Sequence, residues 1–299
     1  ITADTIGAVR AARRLALSFF ICQDLFFSKG DPRDIKDEIS KGIVEPQARS
    51  ISVRVMRFRN AIPPHEVLEL EREIGGVLSS RMRASVSLKN PEAEFVMYVS
   101  DGGFVFGRKL EETARKGLRA RTNRMKPFKH PSTLQPDLSR ALVNIARVRP
   151  GDLVIDPYCG VGGTLLEIAE VGGKGVGLDF KEMMLRGARR NLMHYGHAKW
   201  GVIRGDARKP PFFTADCVVT DPPYGRLSPR TSGTTVEELH DSLVALSAEI
   251  LPKGGYLSLI CPSGISTEAR LRQNGFEILS LNELRVHSSL TRTFVSARR

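Results

Sequence analysis

No two cysteines in this chain are spaced as CxxC. The four present, Cys22, Cys159, Cys217 and Cys261, stand far apart, which excludes a zinc ribbon or a redox dithiol and argues against a disulfide framework. A reducing, cytoplasmic setting is expected. His130, His240 and His287 show no metal-ligand spacing, so no metal is expected. Long apolar runs are also lacking. The longest near the start, Leu15 to Phe27, is broken by Ser18, Gln23 and Asp24. It is too short and too polar to span a bilayer, and no charged, apolar and small-residue leader precedes it. No membrane association is expected, and no internal repeat or low-complexity run occurs. Because the chain opens on Ile1 and not on methionine, a missing N-terminal piece is expected.

What is present is an ordinary globular composition, 41% hydrophobic and 26% charged over 299 residues, long enough for two domains of about 150 residues each. The net charge of +12 points to a polyanion, nucleic acid before membrane. That charge is uneven. Residues 1–130 hold 24 Lys+Arg against 16 Asp+Glu, two-thirds of the excess. Arg108 to His130 carries nine basic residues and only Glu111 and Glu112 as acids. A solvated helical face would intersperse acids for i,i+4 pairing. Their scarcity favours a phosphate-facing basic linker, with Arg115, Lys116, Arg119, Arg121, Arg124, Lys126 and Lys129 as RNA-binding candidates.

Between Asp31 and Leu110 the pattern is mixed. Ile35, Ile39 and Ile43 have helical spacing, Ser50 to Phe58 alternates as a strand, and Pro64 to Leu78 is a second helix. Val86 to Leu88, Glu94 to Val99 and Phe104 to Phe106 read as strands, the last two joined by a turn at Asp101-Gly102-Gly103. This is a small α+β binding module with no catalytic cluster. From Leu138 onward, strand and helix alternate. Strands are expected at 152–155, 175–178, 202–203, 217–220 and 256–260, helices at 164–171, 181–195 and 236–251, and a closing hairpin over 276–284 and 290–297. That alternation predicts an α/β, doubly wound, mostly parallel sheet with its ligand at the carboxyl ends of the strands.

The first of these strands runs into Asp156-Pro157-Tyr158-Cys159-Gly160-Val161-Gly162-Gly163-Thr164. Such glycines let backbone approach a ligand and turn sharply into a helix. A leading acid suits a cationic amino-acid moiety better than a phosphate. Asp179 ends the second strand, placed for ribose hydroxyls, and Asp206 follows the third, placed for an adenine amino group. Three acids after successive strands fit S-adenosylmethionine, and a nicotinamide cofactor is the weaker reading. The fourth strand ends in Asp221-Pro222-Pro223-Tyr224. An exocyclic amino group is a poor nucleophile because its lone pair is delocalised into the ring. The Asp221 carboxylate and Pro222 carbonyl can accept its N–H bonds and turn the lone pair outward, while Pro223 stiffens the turn and Tyr224 offers a stacking ring. Cys159 lies in the cofactor loop, so it is read as a packing residue and not as a nucleophile.

With both loops in view, the sequence resembles the archaeal-type tRNA guanine-N2 methyltransferases that act on guanine 10. Residues 31–112 resemble a THUMP domain through Ser52 to Phe58, Leu70 to Gly75 and Ser87 to Pro91. Pro127 to Arg140 resembles the motif that opens this family's catalytic domain, and Val286 to Arg292 its closing hairpin. The resemblance implies a Rossmann-like class I methyltransferase over 138–299, with a seven-stranded sheet whose last strand is antiparallel. It also implies a basic linker and opening motif over 113–137, and a partial ferredoxin-like region over 1–30. Implied cofactor contacts are Thr133, Gln135, Asp156, Pro157, Cys159, Gly160, Gly162, Gly163, Thr164, Asp179, Phe180, Asp206, Ala207 and Asp221. Asp221, Pro222, Pro223 and Tyr224 are the implied catalytic set. The implied partner is tRNA, held by its acceptor end, with the guanine methylated once and then twice; no protein partner is evident and a monomer is expected. A guanine-6 enzyme, an adenine-N6 methyltransferase and a non-catalytic tRNA-binding protein are the alternatives.

Overall fold

The computed structural model describes residues 5–45, 48–198, 201–223, 235–262, 267–287 and 290–299. It divides into two compact units, one of Ile1–Arg13 and Ser18–Thr113, the other of Arg14–Leu17 and Ala114–Arg299.

The first unit begins with helix α1 (Thr5–Ala12) and strand β1 (Phe20–Ser28). A short helix α2 (Ile35–Lys41) then leads to β2 (Ser50–Arg57) and the long α3 (Pro64–Met82). β3 (Ser85–Val86), β4 (Ala93–Ser100) and β5 (Gly103–Glu112) complete a five-stranded sheet of order β1-β5-β4-β2-β3. Ile51, Val53 and Val55 alternate onto one face of β2. They are buried against Ile35 and Ile39 of α2 and Leu70, Ile74 and Leu78 of α3. The boundary expected near residue 30 is corrected: Phe20–Ser28 pairs antiparallel with β5 and belongs to this sheet.

The second unit opens earlier than expected. Residues 114–137 are part of its body, not a free linker, and Arg115–Ala120 forms helix α4 around buried Leu118. After α5 (Pro136–Ile145) come β6 (Leu153–Asp156), α6 (Gly163–Glu170), β7 (Lys174–Asp179), α7 (Glu182–His194) and β8 (Gly201–Arg204). Next are β9 (Cys217–Thr220), α8 (Val236–Ile250), β10 (Tyr256–Pro262), α9 (Thr267–Gln273), β11 (Glu277–His287) and β12 (Leu290–Arg298). The sheet order is β11-β12-β10-β9-β6-β7-β8, with β12 antiparallel to both neighbours. Both faces are covered, so β9 is buried along its whole length and β6 from Val154 to Asp156. Val154, Cys217 and Val219 face the α5–α6–α7 layer, while Ile155 and Val218 face the α8 layer. The strand order reverses between β6 and β9, which places a ligand crevice at their carboxyl ends.

Candidate active site

Parallel strands end on one edge, so the acids read from the sequence converge there. Asp156, closing β6, is only 1% exposed. Its Oδ1 accepts the Thr220 hydroxyl at 2.7 Å and the Tyr158 N–H at 3.2 Å. No described group donates to its Oδ2. Burial pushes its pKa up to about 7. Asp179, closing β7, accepts the Gly160 N–H at 3.1 Å and the Lys181 N–H at 2.8 Å, and burial raises its pKa. Asp206 differs: both its oxygens lie 2.9 Å from Arg208 Nε, and that pairing holds its pKa down. The acid read as an adenine acceptor is thus already held by a cation two residues on, a partner that its place in the sequence did not suggest.

The glycine loop is shaped by what surrounds it. Gly160 and Gly162 have φ of 51° and 81°, in the left-handed region that disfavours side chains. A Cβ on Gly160 would meet nothing, so this side of the loop is open, whereas one on Gly162 would press on Ala188 of α7 at 3.2 Å. Cys159 is buried against Gly177, where an added Cβ would lie 2.7 Å from its sulfur. Burial pushes the thiol well above its ordinary pKa, which fits packing and not attack. Pro157, Thr164 and Ala207 are buried as well, while Gln135 and Phe180 are exposed. The Thr133 hydroxyl donates to the His130 carbonyl at 2.7 Å, and its methyl lies 3.2 Å from where a Gly163 Cβ would stand.

Asn191 of α7 was not legible as a site residue. Fully buried, it accepts the Phe128 N–H at 2.9 Å and donates to the carbonyls of Phe128 at 3.1 Å and Val161 at 3.0 Å. One side chain therefore fastens the opening segment and the glycine loop to the same helix. Beyond β9, Asp221 follows directly on Thr220, with Pro222 buried and Pro223 half-buried. Tyr224 and the Ser288-Ser289 tip of the closing hairpin lie outside the described residues.

The basic segment does not present all its charge to solvent. Arg121 is 7% exposed and Lys126 2%. Arg121 pairs with Glu167 at 2.8 Å and Glu170 at 2.9 Å, and Arg140 holds the other Glu167 oxygen at 2.8 Å. Arg121 and Lys126 are therefore corrected as RNA contacts, because a phosphate cannot reach them without unpacking this layer. Lys116, Arg119, Arg124 and Lys129 are exposed and Arg115 is half-buried.

A doubly wound sheet with an antiparallel closing strand, a glycine loop after its first strand and Asp-Pro-Pro after its fourth defines a Rossmann-like methyltransferase. The model of the RMKL-like methyltransferase domain matches residues 123–293. The tRNA (guanine(10)-N2)-dimethyltransferase of Methanothermobacter thermautotrophicus is 31% identical over 94% of this chain and 82% of its own length. The tRNA (guanine(6)-N2)-methyltransferase of Thermus thermophilus is 28% identical, over 79% and 70%. The solved structure of TrmN from Thermus thermophilus shares the fold, with a TM-score of 0.54 at 24% identity over 95% of this chain and 84% of that one. The chain belongs to the RMKL-like methyltransferases and, among them, to the tRNA (guanine(10)-N2)-dimethyltransferase family.

Proposed function

We propose that this protein transfers methyl groups from S-adenosylmethionine to the N2 amino group of guanine 10 in tRNA, first once and then twice. The observation that carries the reading is the junction of β6 and β9. There the Thr220 hydroxyl ties the cofactor acid Asp156 to the strand that delivers Asp221.

The residues present fit this cofactor. The open side of Gly160 leaves room for a ligand against backbone, the unused Asp156 Oδ2 suits an ammonium, and Asp179 lies one strand over for ribose hydroxyls. When bound, S-adenosylmethionine supplies an electrophilic methyl group on its sulfonium. The protein's own work is then positioning. The Asp221 carboxylate and the Pro222 carbonyl accept the two N–H bonds of the guanine amino group, which frees its lone pair from the ring. A singly methylated amino group keeps one N–H, so one of the two acceptors can still hold it for a second transfer. In this reading the first unit is a THUMP-type module that grips tRNA in the cytoplasm, and Lys116, Arg119, Arg124 and Lys129 supply further phosphate contacts.

The test is incubation with an unmodified tRNA transcript and methyl-labelled cofactor, followed by nucleoside mapping. N2,N2-dimethylguanosine at position 10 is expected. Label at guanine 6, or recovery as methyladenosine, overturns the assignment. Cofactor binding without turnover on any tRNA points to a non-catalytic binding protein.

A further inference from the structure

An open sheet ends in two edge strands, and the two edges of the second unit differ. β8 has only four residues, and its Val202 carbonyl already accepts from Arg189 of α7 at 3.4 Å. β11 has eleven residues and stands outside β12 at the other end of the sheet. Among the described residues, β12 is the only strand with which it pairs. A free edge of this length templates pairing with another chain unless it is blunted. No proline or lysine interrupts β11, and Leu279, Leu281 and Leu284 are 36%, 43% and 38% exposed. Register shifts fall between Ile278 and Ser280 and between Arg285 and His287, leaving a regular stretch from Ser280 to Arg285.

Pairing with β12 fixes the faces of that stretch. Leu281, Glu283 and Arg285 stand opposite Val295, Thr293 and Thr291 on one face, while Asn282 and Leu284 stand opposite Phe294 and Arg292 on the other. Glu283 and Arg285 are exposed, and neither forms an ion pair or hydrogen bond with another described residue. Two copies of one strand that meet edge to edge about a two-fold axis run antiparallel, and residues opposite each other share a face. The axis therefore lies between one residue and its own copy. Centred on Asn282, the register sets Glu283 against Leu281. Centred on Glu283, it sets like charges face to face, which is destabilising. Centred on Leu284, it sets Glu283 opposite Arg285 twice, by symmetry, with Leu284 against Leu284.

We propose that β11 is a self-association edge, pairing antiparallel with β11 of a second copy of this chain in the register centred on Leu284. The partner is a second copy because the strand carries both halves of the charge pair two residues apart on one face, and so complements itself. The sheet of the second unit then runs continuously through both copies. Because the strands oppose each other across the axis, the carboxyl-end edges that carry the two candidate active sites point in opposite directions, and neither covers the other. This dimer departs from the monomer expected from the sequence, and it stands independently of the methyl-transfer reading.

Light scattering on the full chain after size-exclusion chromatography, over a series of concentrations, tests this. A dimer that dissociates on dilution is expected. Glu283→Arg and Arg285→Glu each replace two attractive cross-strand pairs by two repulsive ones, so each should raise the dissociation constant about tenfold or more. An equimolar mixture of the two variants should recover dimers, because each offers the other opposite charges at both positions. If either variant fails to fold by circular dichroism, the doubly exchanged Glu283→Arg/Arg285→Glu chain decides, and it should dimerise like the unaltered protein. A single-chain mass for the unaltered protein at every concentration overturns the proposal. So does a dimer that neither variant weakens, or a mixture of folded variants, or a doubly exchanged chain, that stays monomeric.

Discussion

The Thr220 hydroxyl donates to Asp156 Oδ1 at 2.7 Å and so joins the ends of β9 and β6 where the strand order reverses. The bond couples the acid that opens the glycine loop to the strand that carries Asp221, the proposed catalytic acid, one residue later. Thr220 is itself fully buried, so the link is shielded from competing water. Thr220→Val keeps the shape and removes the donor, leaving a buried carboxyl oxygen one partner short. A loss of about 1–3 kcal/mol is expected, read by urea denaturation, together with weaker cofactor binding.

The Asp156 pKa, raised by burial to about 7 from 3.8, makes stability depend on pH with a definite sign. Between those values the folded protein holds a proton that the unfolded chain has released. The contribution is therefore fully present below pH 3.8 and is lost as pH rises through 7. Asp156→Asn removes the titration. The thermal midpoint of the unaltered protein should fall between about pH 4 and 7 relative to that of the variant and run parallel to it above that range, and parallel profiles throughout would count against the shifted acid.

Asp221→Asn keeps the size of the side chain but weakens the acceptor proposed for the guanine amino group. The expected result is a fall in kcat of about 10²–10³, typical of removing one preorganised electrostatic partner, with tRNA affinity retained. Single-turnover methylation and a filter-binding assay separate the two. A variant that keeps its turnover would remove Asp221 from the chemistry.

The exposed and buried cations should behave oppositely. Replacing Arg119, Arg124 and Lys129 together with alanine should weaken tRNA binding and flatten its salt dependence, by about 0.9 in logarithmic slope for each phosphate no longer neutralised. Arg121→Ala should instead strand Glu167 beside one remaining arginine and cost about 3–5 kcal/mol, as breaking a buried pair does. Its salt slope should stay the same once folding is restored by lower temperature.

These contrasts show where the sequence was readable. The central strands were legible because burial on both faces makes them short apolar runs, and Cys217 to Thr220 is matched to the residue. The acids at the strand ends were legible because a doubly wound sheet brings such ends together. β1 was not, because its pairing is interrupted by register shifts at Ile21/Cys22 and Asp24/Phe26; such bulges break the period of two on which a strand is recognised. The burial of Arg121 was equally hidden, since its partner Glu167 lies 46 residues away and a count of local charge cannot register it. Asn191 has its partners 63 and 30 residues off and sits in a helix where it resembles any polar residue.

Asn191→Leu tests whether the clamp beneath the cofactor loop matters for function as well as for folding. Leucine is close in size, so the packing of α7 is preserved, but the Phe128 N–H and the carbonyls of Phe128 and Val161 all lose their partner. Each buried polar group left unmade costs about 1–3 kcal/mol, so a marked fall in thermal midpoint is expected. The Phe128 ring should then lift from Gly187, where even a methyl would come within 2.4 Å of it. Because the same segment packs Thr133 against Gly163 of the loop, the KM for S-adenosylmethionine should rise more than tenfold while kcat at saturating cofactor changes little. Steady-state kinetics at a temperature where the variant is folded make the distinction. A fall in kcat with unchanged KM would place the role of Asn191 in the chemistry of transfer and not in holding the loop.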